Sequence, residues 1–505
     1  MICVTVVVWC FPEYTTGGWG CPFETLERRA TDGSSLLGLE RDGLLKILLR
    51  IGAKGKAGPP GCPPMASKCT VTGVIWVIVG WVLLIQAYTT LFPPPAPPSI
   101  SGDEWTLVSD IRRGFDGKPL EKKSRKPSDA EESLRDLSYK QEMDFYFPDK
   151  SMAINPLKTV ESDTNYFYPG REWRDTDGKP IQAHGGGILY DKETKTFYWY
   201  GENKEGRTYR FKRSLSRVDV VGVSCYSSKD LWTWQNEGVV LKGDKTNTSS
   251  DLHVSNVVER PKVIYNDRTK QYVMWMHIDN VNYSKASVGI AVSSRPEGPF
   301  NYLGSKRPHG HDSRDMTIFK DDDGSAYLLY SSKDNSELHV GILTSDYLDV
   351  KKGFKRILIG QRREAPAVFK HKGIYYMVTS GCSGWNPNPA QVHAAESMLG
   401  PWEALGDPCV GRPPEFRAAT FFSQGTFVLP LPGLSDTFLF MADRWKPPDL
   451  KDSRYVWLPL IMDGPVNEPV EEEFDFPIWQ RVEVSWHRRW KLKLGWDNSP
   501  SVAIF

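Results

Sequence analysis

Three stretches of the chain set a carboxylate at the edge of an apolar run: Glu259 in ERPKVIY, Asp315 in RDMTIF and Glu364 in REAPAVF. A strand-edge acid is ordinarily solvated or paired with a nearby cation, and Arg260, Arg314 and Arg363 stand beside the three for that purpose. Recurrence at equivalent points of separate runs argues instead for one shared site. Clustered carboxylates suit cleavage of a glycosidic bond, which needs a proton donor of raised pKa, a group that activates water on the opposite face, and a group that tunes the donor. Crowding of like charges raises the pKa of at least one member and keeps it protonated near neutral pH. Corresponding positions of two further runs carry no acid: Gln182 and His184 before one, Gln424 before the other.

The elements that must gather these residues repeat five times. Each unit is a short apolar run, a polar turn and a second aromatic-rich run, the pattern of a β-hairpin. The five are GGILYDKETKTFYWYGEN from Gly186, KVIYNDRTKQYVMWMHID from Lys262, MTIFKDDDGSAYLLYSS from Met316, PAVFKHKGIYYMVTS from Pro366 and TFVLPLPGLSDTFLFMAD from Thr426. Third-strand candidates VGVSCYSS, VGIAVSS, LHVGILTS and QVHAAES follow four of them, and each interval has room for four strands. The reading is an all-β, five-bladed β-propeller over residues 151–464. In that architecture the residues just before each first strand meet at one mouth of the central channel.

The 505 residues include 63 Lys and Arg against 62 Asp and Glu, a balance that gives no sustained field for a nucleic-acid backbone. No charge occurs between Lys68 and Asp103, and Val71–Phe92 reads VTGVIWVIVGWVLLIQAYTTLF, long enough to cross a bilayer as one helix. Lys54, Lys56 and Lys68 precede it, so the positive-inside rule puts residues 1–70 in the cytosol and the remainder in a lumen or outside. A proline-rich and charged stem follows over 93–150. Residues 465–505 form an aromatic-rich tail expected to pack on the propeller. Sequons at Asn247 and Asn282 fit a lumenal placement. Cys225, Cys382 and Cys409, the cysteines beyond the span, make at most one disulfide.

Weaker signals resolve to turn chemistry. The two-residue spacing of His309 and His311 is a poor metal motif. Asp321-Asp322-Asp323-Gly324 lacks the distal glutamate of a calcium loop and sits where a hairpin turn is needed. Gly185-Gly186-Gly187 has no following helix to cradle a phosphate. Neither a metal nor another cofactor is called for.

The acids before blades two to four, within a five-bladed pattern, resemble glycoside hydrolase family 43. WRDTDGKPIQAHGGGILY, YWYGENK, VERPKVIYN, SRDMTIFKDDDGSAYLLYSS, REAPAVFK, SQGTFVLP and SRYVWLPL are similar to its plant and fungal exo-β-1,3-galactosidase branch, from about Trp173 to the end. The resemblance implies an inverting enzyme without cofactor that removes terminal β-1,3-linked galactose from type II arabinogalactan, including the glycans of arabinogalactan proteins. It also implies a single-pass type II Golgi membrane protein with a lumenal catalytic domain. Glu364 matches the general acid and Asp315 the carboxylate that orients it and tunes its pKa, while Glu202, Glu259 and Tyr283 match residues that hold the galactose. Most of the family carries an Asp at the start of blade one, where this chain has Gln182-Ala183-His184-Gly185. In the galactanase branch a Gln matching Gln424 is proposed to activate water as its imidic-acid tautomer. A neutral amide is a very poor base unless that tautomer is stabilised, and Glu259 competes for the role. Alternatives are another activity of the family, arabinofuranosidase or xylosidase, and a catalytically silent sugar-binding propeller.

Overall fold

Unbroken aromatic runs such as TFYWYGE and QYVMWMHID become second strands because a propeller blade is covered on both faces by its neighbours, so that alternation is lost. The computed structural model describes residues 106–107, 153–158, 165–211, 215–411, 414–465, 479–495 and 501–504. The expected cytosolic segment and membrane helix fall outside these residues, as does the stem apart from 106–107. Among the described residues no helix is long and apolar enough to cross a membrane.

Five antiparallel sheets make the propeller. Blade one orders His184–Asp191, Thr196–Glu202, Gly222–Ser228 and Gln235–Lys242 from the channel outward. Blade two runs Val257–Asn266, Gln271–Asp279, Ser287–Ser293 and Asn301–Lys306. Blade three runs Met316–Lys320, Ala326–Ser332, Glu337–Leu343 and Val350–Ile357. Blade four runs Arg363–His371, Ile374–Gly381, Gln391–Ala395 and Glu403–Gly406. Blade five begins with Gln424–Pro430, Thr437–Arg444 and Arg454–Pro465. Second strands are almost wholly buried, whereas an outermost strand such as VKKGFKRI turns mostly to solvent.

The expected boundary at 464 is corrected by blade five. Its fourth strand is Gln480–Ser485, drawn from the tail, and Cys409–Val410 pairs parallel to that strand at the outer edge. The chain beyond also enters a small sheet, where Trp490–Lys493 lies between Tyr166–Phe167 and Val502–Ile504. Blade one carries an insertion with no counterpart in the repeat, the hairpin of Thr208–Phe211 and Leu215–Val218. Cys225, Cys382 and Cys409 are all free thiols.

First strands are bulged at the mouth. One extra residue enters the pairing after His184, Glu259 and Glu364, and another beside Gly425. In blades one, two and four the next residue, Gly185, Arg260 or Ala365, has left-handed backbone, with φ of 59°, 55° and 51°. A bulge re-aims the side chain beside it. Here it falls immediately after the first-strand acids Glu259 and Glu364 of blades two and four.

Candidate active site

Register determines which residues share the mouth. Opposite His184, Glu259, Glu364 and Gln424 on the first strands stand Glu202, His277, Ser380 and Asp443 on the second strands. In blade three the Ser331 backbone N–H donates to the Asp315 carbonyl. Glu202, Asp315, Glu364, Ser380 and Gln424 enter one polar network through Arg260, while His184 pairs with Asp443 and Glu259 with His277 beside it.

Glu364, 8% exposed, lies at its centre. Its Oε1 accepts from Gln424 Nε2 at 3.1 Å and its Oε2 from Asn335 Nδ2 at 3.3 Å. Burial, and next the charge of Asp315, push the Glu364 carboxyl up to about 8 against the opposing pull of Arg260. Asp315 Oδ2 accepts from the Ala365 backbone N–H at 3.1 Å and pairs with Arg260 Nη2 at 3.0 Å. Thus Asp315 holds the strand that carries Glu364 while its charge disfavours ionisation there.

Arg260 links the blades. Besides Asp315 it donates to Gln424 Oε1 at 2.6 Å and to the Gly425 carbonyl at 3.2 Å, and its own N–H donates to Glu202 Oε1 at 2.9 Å. The three arginines thus serve partners other than the acids beside them, in keeping with one shared site. Arg260 reaches across to Asp315, Arg314 binds Asp312 and Asp334, and Arg363 donates to Thr379 and to the Pro389 carbonyl. Neighbours on a strand point to opposite faces, as Arg363 and Glu364 do in regular pairing, and in blade two the bulge also gives Arg260 left-handed backbone.

Gln424 is held in one orientation. Its Oε1 faces two obligate donors, Arg260 and Trp445 Nε1 at 2.9 Å, which leaves Nε2 to donate to Glu364 and to Ser380 Oγ at 2.9 Å. Glu259 accepts from the Tyr283 hydroxyl at 3.0 Å and pairs with His277 Nδ1 at 3.2 Å. Burial opposes its ionisation, but His277 and Lys204 outweigh this and hold it down to about 2. Burial likewise pulls His277 down, yet Asp279 and Glu259 lift it to about 10. Glu202 is raised by burial, with Lys204, its ion-pair partner, opposing.

Glu202, Lys204, Glu259 and Tyr283 line a solvent-open cleft together with Asn203, Trp385, Arg217 and an aliphatic wall, whereas Glu364, Asp315 and Gln424 lie outside that lining. Trp385 and Trp445 meet edge to face with centroids 5.0 Å apart, and the Lys204 ammonium lies 5.2 and 5.5 Å from the two rings. Trp385 Nε1 donates to the Ser216 carbonyl at 2.9 Å, tying the loop of blade four to the insertion of blade one.

At the start of blade one His184 Nδ1 pairs with Asp443 at 2.9 Å and the ring stacks on Tyr455, so His184 faces its neighbouring blade. Gln182 donates to the Lys451 carbonyl at 3.1 Å. Asn247 and Asn282 are both exposed. The ligand atoms of Glu259, His277 and Asp315 lie within 4.8 Å of one another, a spacing compatible with an ion. As an imidazolium, however, His277 donates from both nitrogens to Glu259 and Asp279 and has no lone pair for a metal. His309 bonds the Tyr330 hydroxyl and the Lys351 carbonyl on the flank of blade three, away from this network.

Sequence reasoning had missed Arg260 as the link, and Lys204, His277, Asn335, Ser380, Trp385, Asp443 and Trp445. The available signal was the repeat itself, since His277, Ser380 and Asp443 occupy the second-strand position of Glu202.

Residues 187–412 match the model of glycosyl hydrolases family 43. Among solved structures, a family 43 β-1,3-galactosidase is 34% identical with a TM-score of 0.57, covering 65% of this chain and 63% of that one. An exo-β-1,3-galactanase from Phanerochaete chrysosporium, crystallised with β-1,3-galactotriose, is 38% identical with a TM-score of 0.55, covering 66% of this chain and 69% of that one. A β-D-galactofuranosidase of Aspergillus niger is 27% identical over 188 residues, 35% of this chain and 54% of its own length. The chain therefore spans about half the length of that curated relative. The propeller, its mouth of buried carboxylates and these similarities agree: the chain belongs to glycosyl hydrolases family 43.

Proposed function

We propose that the chain is an inverting exo-glycosidase that removes terminal β-1,3-linked galactose from type II arabinogalactan, including the glycans of arabinogalactan proteins. One observation carries the reading: Glu364 is a buried carboxyl held up to about 8, beside Asp315 and in one network with Arg260, Glu202 and Gln424. A carboxylic acid that stays protonated at neutral pH is what a departing glycosidic oxygen needs. The names of the similar solved structures, a β-1,3-galactosidase and an exo-β-1,3-galactanase, support galactose as the sugar.

In this mechanism Glu364 protonates the leaving oxygen, Asp315 orients it and sets its pKa, and Glu202, Glu259 and Tyr283 hold the galactose hydroxyls. The Trp385 bridge to Ser216 walls one side of the cleft, which suits the end of a chain better than its middle. Water attacks from the opposite face, and Gln424 and Glu259 compete to activate it. Glu259, held down to about 2, is a weak base with both oxygens engaged. Gln424 touches Glu364 directly, whereas an inverting pair of carboxyls stands roughly 6.5–9.5 Å apart to admit water. Its imidic-acid tautomer also places a proton on Oε1, where Arg260 and Trp445 already donate. A base role for Gln424 thus requires substrate to part it from Glu364 and from one of those donors.

The enzyme acts, on this reading, from the lumenal side of the Golgi membrane, anchored by the span at 71–92 in type II orientation. Galactose released from β-1,3-galactan by the parent and lost in Glu364→Gln is the expected result. Arabinose or xylose release, or binding without turnover, sinks the assignment. Gln424→Ala is expected to abolish turnover; retained activity makes Glu259 the base.

A further inference from the structure

Glu364 must carry a proton that it can give away, and its surroundings distinguish its two oxygens. Gln424 cannot turn over, because its Oε1 is pinned by Arg260 Nη2 at 2.6 Å and Trp445 Nε1 at 2.9 Å. Its Nε2 must therefore donate to Glu364 Oε1, which is thereby fixed as the carbonyl oxygen of the acid. The proton is left for Oε2. Asn335 Nδ2 stands 3.3 Å from Oε2 as a donor, and the Cys382 thiol also hydrogen-bonds the carboxyl. A donor there suits the carboxylate, not the acid. The other atom of the same amide, Oδ1, is buried and has no hydrogen-bond partner among the described residues. Amide orientation is set by the network around it, and the Asn335 amide, unlike that of Gln424, is free to invert.

We propose that Asn335 is a positioning residue that holds the transferable proton of Glu364 on Oε2, accepting it at Oδ1 in the resting acid and donating from Nδ2 to the carboxylate once the proton has left. In turnover the Oε2–H bond breaks, the proton passes to the glycosidic oxygen, and the C1–O bond breaks with its electron pair staying on that oxygen. Water adds to C1 and releases one proton to solvent, and Glu364 takes one back. Asn335 inverts once on each side of the cycle.

The backbone is built to present this side chain. Lys333, Asp334 and Asn335 are three successive non-glycine residues in the left-handed region, with φ of 52°, 54° and 58°. Such a run is costly and persists only where its surroundings enforce it. Asp312 does so, accepting the Lys333 and Asp334 N–H groups at 3.0 Å each and the Ser332 hydroxyl at 3.1 Å, while Arg314 ties Asp312 to Asp334. One stretch, Asp312-Ser313-Arg314-Asp315, thus contributes both the clasp of the Asn335 turn and the tuner of the acid.

The inference rests on Glu364 being the general acid, and the test separates the two. Asn335→Gly removes the side chain at a backbone position glycine adopts freely. Two substrates are compared, β-1,3-galactan, whose leaving group needs a proton, and a dinitrophenyl β-galactoside, whose leaving group does not. Glu364→Gln and Asn335→Gly are both expected to lose turnover on galactan, by at least about tenfold for Asn335→Gly as a fraction of the usual general-acid contribution, with dinitrophenyl release within about twofold of the parent. Asn335→Asp retains the acceptor and adds a charge, so its alkaline limb on galactan should move to higher pH. The groups facing Glu364, namely Gln424, Asp315, Arg260 and Cys382, are unchanged in both variants. Equal losses on the two substrates, no loss on galactan, or an unmoved limb in Asn335→Asp overturns the role of Asn335. If Glu364→Gln itself retains galactan turnover, the reading of the acid fails and this proposal fails with it.

Discussion

At Glu364 the sign of the pKa shift fixes what pH should do. The acid is active when protonated, so turnover should fall as pH rises through about 8, where the folded-state carboxyl titrates. Asp315→Asn removes a negative charge that raises Glu364 and leaves the positive charge of Arg260 less compensated. Both effects lower the pKa, and the alkaline limb should move toward acid; a limb that stays in place refutes Asp315 as the tuner. The shift is also a stability statement. Glu364 binds its proton more tightly folded than unfolded, so its favourable contribution is complete at low pH and is lost as pH rises through the folded pKa. Glu364→Gln should therefore be more stable than the parent above about pH 8 in denaturant titrations, while losing roughly 10²–10⁴ in kcat on galactan. The acids at the first-strand edges were legible because each interrupts an apolar run. Their second-strand partners were not, since His277 and Ser380 read as ordinary strand residues until the register places them opposite Glu259 and Glu364.

Among the elements, the bulged first strand does most to build the site, and it hides from sequence. Arg260 and Ala365 have left-handed backbone without being glycine, so nothing in ERPKV or REAPA announces the extra residue. Only Gly185 keeps the expected residue type. Its reason is not φ alone, as Arg260 and Ala365 tolerate nearly the same angle. A Cβ on Gly185 would stand 2.1 Å from Glu202 Oε1, the oxygen that accepts the Arg260 N–H. Gly185→Ala should therefore displace Glu202 and raise KM for galactan more than it lowers the melting temperature; a variant with unaltered KM would show that the Glu202 carboxylate does not need its present place. The hairpins were legible because the second strands are buried on both faces and carry unbroken aromatic runs. The Thr208–Val218 insertion and the last strand of blade five were not, because each breaks the repeat that the hairpins set.

Considered as a whole molecule, the propeller must join its first blade to its last, and it does so without exchanging a strand, since blade one is built from residues 184–242 and blade five ends with Gln480–Ser485. Side chains and backbone amides span the seam instead. Thr426 Oγ1 donates to the Gly186 carbonyl at 2.9 Å, the Tyr455 hydroxyl to the Ile181 carbonyl at 2.9 Å, and the Gly185 N–H to Asp443 Oδ2 at 2.8 Å. Beneath them Trp173, Trp199, Trp457, Phe167 and Trp490 form one buried aromatic cluster that joins the entry of the chain, both blades and the tail. Trp490 stacks on Phe167 with centroids 4.3 Å apart, and its Nε1 donates to the Trp457 carbonyl at 2.9 Å. The Trp-rich tail is thus part of the closure, and the site inherits that dependence because Glu202 and Gln424 lie on the two blades that meet at the seam. Trp490→Ala, which empties a fully buried position, should cost about 3–5 kcal/mol in denaturant unfolding. At temperatures where the variant remains folded, its KM and kcat on galactan should match the parent, because Trp490 packs on Phe167 and Trp457 in the aromatic cluster. A large loss of stability with unchanged kinetics is the signature of a closure residue; changed kinetics at full stability would place the tail in the active site instead.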